Sequence, residues 1–157
     1  MTVVPFKTIF TTKNKREVRI SEEFDSEFEY EFVESHPNKE IVFNHKPSKT
    51  LIQADLLFNL PATEQYSRSP ESATAGLLTK LALKLMGTGG QAMGQKRAQW
   101  YMFSSGDKKA FTESVRRIHG WGFENVVPCH GDTILGEGKG VFEKVFGWFL
   151  EGQQGKK

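Results

Sequence analysis

Three polar residues stand where apolar, strand-like runs begin or end. His36 opens a strand pair in SHPNKEIVF, Asp55 lies at the end of its second strand in LIQADLLF, and His130 follows the last strand in VVPCHGD. Strand ends are where α/β folds place ligand groups. Two imidazoles and a carboxylate are suitable ligands for zinc, iron or manganese. The alternative reading is plainer: a lone histidine at a strand end hydrogen-bonds at the surface, and a lone aspartate caps a turn. Cys129, next to His130, has the chemistry of a nucleophile. Adjacent residues in an extended turn point apart, so His130 is badly placed as its base, and Cys129 is expected to pack as a small hydrophobe. Asp132 either caps the turn that follows it or supports a metal-bound histidine from behind.

The elements that must position these residues come in two groups. Val3 to Thr11 and Arg16 to Ile20 read as strands. EFEYEFV alternates, with Phe28, Tyr30 and Phe32 on one face and Glu27, Glu29 and Glu31 on the other, which predicts a strand with one wet face. Glu40 to Asn44 and Thr50 to Leu57 form a hairpin around Lys46-Pro47-Ser48-Lys49. The second half is helical. Leucines 77, 78, 81 and 85 predict a helix over 72–85, closed by the glycines of GTGG. Further helices are predicted over 95–103, from an Asp107 N-cap through Ile118 to a stop at Gly120, and over 141–150. A short buried strand is expected over 123–127. This order predicts an α/β domain with a mixed or antiparallel sheet and helices on one face.

Order and context add a resemblance. HPNKEIVFNHKPSKTLIQADLLF resembles the segment of the metallo-β-lactamase superfamily that runs histidine turn, strand, hairpin, strand, aspartate, and VVPCHGD resembles its later strand and G-H-G turn. The text around ADLLFNLPATEQYS and PCHGD is similar to fungal proteins of that group that include a domain of unknown function. The resemblance covers roughly residues 5–150. It implies that His36, Asp55 and His130 fall on metal-binding positions, with Asp55 on the aspartate that bridges two metals. It also implies one half of an αββα sandwich. The superfamily's H-x-H-x-D-H motif is missing, because no two of the four histidines, at 36, 45, 119 and 130, lie close enough to form it. Asn38 and Lys39 replace the usual small residues, and Ala54 and Cys129 replace glycines.

The expectation is therefore a metallo-hydrolase-like protein with an incomplete site, weakly active or inactive alone, binding zinc, iron or manganese weakly or not at all. The competing expectation is a non-catalytic interaction domain that pairs through its sheet, as a homodimer or with a complementary N-terminal half. Glu64, Tyr66 and Arg68, in LPATEQYSRSP after Asp55, would border any site and are candidates for a substrate loop. GTGGQAMGQ lacks the lysine and hydroxyl ending of a phosphate loop and reads as a connection. GEGKG reads as a plain loop ahead of the last helix.

Bulk properties set the frame. The chain has 157 residues, enough for one domain with a real core, with a tail expected over 151–157. Lysines and arginines number 21 against 19 acids, a net charge of +2 that gives no case for nucleic acid. No apolar run approaches the ~20 residues of a membrane span, so no membrane partner is expected. The N-terminus lacks the pattern of a signal peptide, and a single cysteine excludes an internal disulfide. Both point to a cytoplasmic setting.

Overall fold

The computed structural model describes residues 8–151. Val3 to Lys7 of the first expected strand, and residues 152–157 of the expected tail, lie outside the described residues. The element order is α1 (Glu22–Glu27), β1 (Phe28–Val33), β2 (Glu40–His45), β3 (Thr50–Ile52), α2 (Thr63–Tyr66), α3 (Leu77–Met86), α4 (Met93–Ala98), a π-helical turn over Gln99–Phe103, α5 (Lys108–His119), β4 (Asn125–Val127) and α6 (Gly138–Leu150). The four strands form one mixed sheet in the order β1-β2-β3-β4. The β1–β2 and β2–β3 pairs are antiparallel, while β3 and β4 run parallel with Ile52 opposite Val127. The α/β class with a mixed sheet and helices is thus the fold of this chain.

The helix-covered face of the sheet holds the core. Val33, Val42, Leu51 and Val126 point into a cluster with Phe111, Val115 and Ile118 of α5 and Phe142, Val145, Phe146 and Phe149 of α6. The apolar periodicity of 141–150 is borne out, though α6 starts earlier, inside GEGKG, which is therefore not a plain loop. Lys139 from that stretch turns back, and its ammonium donates to the carbonyls of His119 and Trp121 at the end of α5. Asp107 caps α5 as expected, accepting from the Ala110 amide at 2.9 Å.

The single wet face expected for β1 is not found, because its residues are buried or half-buried on both sides. Period-two alternation gives two faces but does not say which one meets the helices. Val33 and Val42 place the glutamate row on the helix side. Glu31 is buried there, accepts from the Ser114 hydroxyl at 2.7 Å, and pairs with Arg117 Nε at 3.1 Å. The aromatic row faces outward and is covered by the preceding chain. Phe10 stands edge-on to Tyr30 with centroids 4.9 Å apart, and Phe24 of α1 stacks on Phe28 at 4.7 Å. Arg16 to Ile20, expected as a strand, pairs with none. It follows the covering chain, where the Val18 carbonyl accepts from the Tyr30 hydroxyl. The described part of the first expected strand, residues 8–11, is not a strand either.

The second expected difference lies after the hairpin. Strand β3 ends at Ile52, not Leu57, and residues 53–59 run irregularly through the interior, with Leu56 and Leu57 fully buried. Buried backbone needs partners, and here three glutamines supply them. Gln53 Oε1 accepts from the amides of Leu56 (2.8 Å) and Leu57 (3.0 Å), and its Nε2 donates to the Leu57 carbonyl. Gln95 in α4 takes the Phe58 amide at 2.8 Å and donates to the carbonyls of Phe58 and Met86. Gln99, one turn further on the same helical face, donates to the Leu56 carbonyl at 2.6 Å. The predicted 95–103 helix accordingly starts at Met93 and widens into a π-turn at Gln99.

This arrangement ranks the glutamines. Gln95→Leu strips partners from three backbone groups and is expected to cost roughly 2–4 kcal/mol, whereas Gln99→Leu strips one and costs roughly 1–2 kcal/mol. Urea denaturation of the two variants checks the order, and an equal or reversed ranking would sink the assignment.

Candidate functional site

The antiparallel pairs make β1, β3 and β4 run in one direction, so their C-terminal ends share one edge of the sheet. His36, Asp55 and His130 each lie three residues beyond the end of one of these strands. The ladder between β3 and β4 continues past their ends: the Gln53 amide donates to the Val127 carbonyl at 3.1 Å and the Cys129 amide to the Ala54 carbonyl at 3.4 Å. Equal offsets on paired parallel strands bring Asp55 and His130 together, with Nε2 3.0 Å from Oδ1. The Phe58 ring stacks flat on the His130 imidazole, 5.2 Å between centroids and 5° between planes. The second Asp55 oxygen accepts from the Asn38 side-chain amide.

His36 does not join that pair. Its ring is buried beside Phe103 (5.2 Å) and Phe111 (6.4 Å), and its Nδ1 accepts from the Asn38 amide at 3.3 Å. Its Nε2 is buried without a hydrogen-bond partner. An orphaned imidazole nitrogen is what a ligand position offers, but both Asp55 oxygens are engaged elsewhere. Among the described residues, no three histidine, cysteine or carboxylate side chains are placed to hold a metal ion. The residues present do not fit a metal centre of the kind the resemblance implies.

A residue that sequence reasoning passed over organises this edge. Glu40, at the start of β2, is buried and accepts from the amides of Ala54 (2.7 Å) and Asp55 (2.9 Å). It clamps the turn that carries Asp55. Burial raises its carboxyl to about 7, against the opposing pull of the backbone amides. Burial also lowers the His36 imidazole, which the nearby Asp55 offsets only in part. His36 Nδ1 and Glu40 Oε2 are 4.0 Å apart, yet both shifts favour the neutral forms, so this contact is not an ion pair near neutrality. The one signal in the sequence was a glutamate opening an apolar strand.

The PCHGD turn is held by Asn59. The Asn59 amide donates to the His130 carbonyl, the Asp132 amide donates to the Asn59 carbonyl, both at 3.0 Å, and Asn59 Nδ2 donates to the Asp132 carbonyl. Gly131 sits at φ +113°, and a Cβ there would meet the Asn59 carbonyl oxygen at 2.1 Å, so only glycine fits. Asp132 neither caps its own turn nor reaches His130. Its carboxylate accepts from the Glu64 amide at 2.8 Å and from the Thr63 hydroxyl, both in the first turn of α2. Glu64 and Tyr66 lie in exposed α2 and Arg68 just beyond it, so Asp132 ties this segment to the edge. GTGG is docked as well: the Thr88 hydroxyl donates to Asn59 Oδ1 at 2.7 Å. Cys129 is exposed rather than packed. His45 lies against Phe28 and contacts Ser48, and His119 pairs with Glu143 at 2.9 Å.

A cavity of about 410 Å³ lies away from this edge, against β1, bounded by Lys15, Arg16 and Arg117 among others. Those three are paired with Glu34, Glu113 and Glu31, and the other lining cations, Arg19 and Lys46, are matched in number by Asp25 and Glu29, which leaves the cavity little net charge for a ligand.

Glu40 gives a pH signature. Its folded carboxyl, at about 7, lies above the ordinary value of 4.5. Its contribution to stability is therefore full below about 4.5 and lost as pH rises through about 7, by at most roughly 3 kcal/mol. His36 acts in the opposite sense, losing stability as pH falls below its ordinary range. The difference between wild type and Glu40→Gln removes the His36 contribution. Urea midpoints measured from pH 5 to 8.5 should fall with pH in the wild type relative to the variant, and parallel profiles would remove Glu40 as the titrating group.

No protein-family model, curated protein or solved structure matches this chain.

Proposed function

We propose that this chain is a metallo-hydrolase-like half-domain whose metal site is incomplete and which is weakly active or inactive on its own. The observation that carries the reading is the state of the sheet edge. His36, Asp55 and His130 stand at equivalent offsets beyond three co-directional strands, which is where an α/β sheet gathers a ligand set. They are nevertheless committed to different partners: His130 to Asp55, Asp55 also to Asn38, and His36 to the phenylalanine-lined interior. Three candidate ligand positions for zinc, iron or manganese on one sheet edge, without converging donors among the described residues, support a site that is incomplete. Metal analysis of the purified chain after incubation with zinc tests this. The expected result is less than one zinc per chain, unchanged by His130→Ala. Stoichiometric zinc lost in that variant would overturn the reading.

A second reading, association through the sheet, is favoured by one specific observation. The outer face of β1 and β2 is covered by Phe10 and Phe24, but the outer face of β3 and β4 is open. Ile52 and Val127, register partners there, are 38% and 39% exposed. Paired apolar residues on an open sheet face suit a second copy of the chain. Sedimentation velocity should show a concentration-dependent dimer that Ile52→Asp abolishes with its circular dichroism unchanged. A stable monomer at micromolar concentration would end this reading.

A further inference from the structure

Residues 72–106 contain no aspartate or glutamate and four cations, Lys80, Lys84, Lys96 and Arg97. The chain as a whole is near balance, with 21 basic and 19 acidic residues. None of the four cations has an ion-pair partner among the described residues. The same stretch forms α3, α4 and the π-turn, and it carries most of the large apolar side chains exposed among the described residues.

Helix α3 concentrates both features. With 3.6 residues per turn, Leu77, Leu81, Leu85 and Leu78 fall within about 100° of one another, and Lys84 and Lys80 follow within about 60° on one flank. Ala82, Leu83 and Met86 lie on the other side and are half-buried. The leucine stripe is open: Leu77 is 84% and Leu78 81% exposed, with Leu81 and Leu85 also exposed. Met93 at the start of α4, and Tyr101 and Met102 in the π-turn, add exposed apolar groups.

Charge decides what fits this face. Two copies meeting stripe to stripe would bring lysines together with no acid in residues 72–106 to pair with them. Protein interfaces are depleted in lysine, and leucine is under-represented among the residues that anchor them. An amphipathic helix with leucines on one face and flanking lysines matches instead the interface of an anionic bilayer, where the leucines enter the acyl boundary and the lysines meet the headgroups. We infer that α3, with the cations of α4, is a peripheral docking surface for anionic lipid. The lack of a spanning helix among the described residues does not bear on such a contact.

Co-sedimentation of the full chain with vesicles tests this. Phosphatidylcholine–phosphatidylserine vesicles should pellet the protein, phosphatidylcholine alone should not, and added salt should release it. Lys80→Gln and Lys84→Gln should each weaken binding roughly five-fold. The double variant Leu77→Asp, Leu81→Asp should abolish it with an unchanged melting curve, because both side chains are exposed. No pelleting with phosphatidylserine vesicles, or pelleting that survives the double leucine variant, overturns the inference. Self-association lost in that variant without vesicle binding also overturns it, and assigns the stripe to a protein partner. The stripe shares no residue with the Ile52–Val127 face or with the Asp55–His130 edge, so failure here is separate from failure of the function proposed above.

Discussion

The structure depends on the chain between Gln53 and Asn59 being able to run through the interior without being a strand. Such a path leaves amides and carbonyls buried, each costing roughly 1–3 kcal/mol if unpaired. Side chains meet that demand: Gln53 from within the segment, Glu40 from β2, and Gln95 and Gln99 from α4 and the π-turn that follows it. This one set of bonds joins the helical half to the sheet and fixes the direction in which Asp55 and Phe58 leave the core. Asn59, the last residue of the segment, then holds the PCHGD turn through a short parallel bridge.

The candidate site is a consequence of that path and of strand direction. Parallel pairing of β3 with β4 turns equal sequence offsets into spatial contact, and the Asp55–His130 pair follows. His36, at the same offset beyond β1, is separated from them by the intervening β2 and is drawn into the core beside Phe103. Glu40 occupies the gap on β2 and holds the Asp55 turn by its backbone. The edge is thus held together by hydrogen bonds between its own side chains and backbone. Burial shifts two of its groups, His36 and Glu40, toward their neutral forms.

Much of the second half was legible because its signals are local. The Asp107 cap, the stop at Gly120 and the apolar spacing of Phe142, Val145, Phe146 and Phe149 each depend on neighbours within four residues. The hairpin around Lys46–Lys49 was legible for the same reason. The misread elements depend on distant partners. The run Leu51–Phe58 satisfies a strand pattern, yet Leu56 and Phe58 bond to glutamines 43 and 37 positions away. Short α1, capped by Ser21, was hidden beside the stronger alternation of EFEYEFV.

The sequence by itself determined the α/β class, the helices of the second half, and the three polar residues at strand ends, because these follow from periodicity and from residue type at a boundary. Only the tertiary structure decided which face of β1 turns inward. Alternation is symmetric until α5 packs against it, and there Glu31 finds Ser114 and Arg117. The tertiary structure also decided that Asp55 meets His130 and not His36. That choice rests on strand order and direction, which no spacing along the chain encodes.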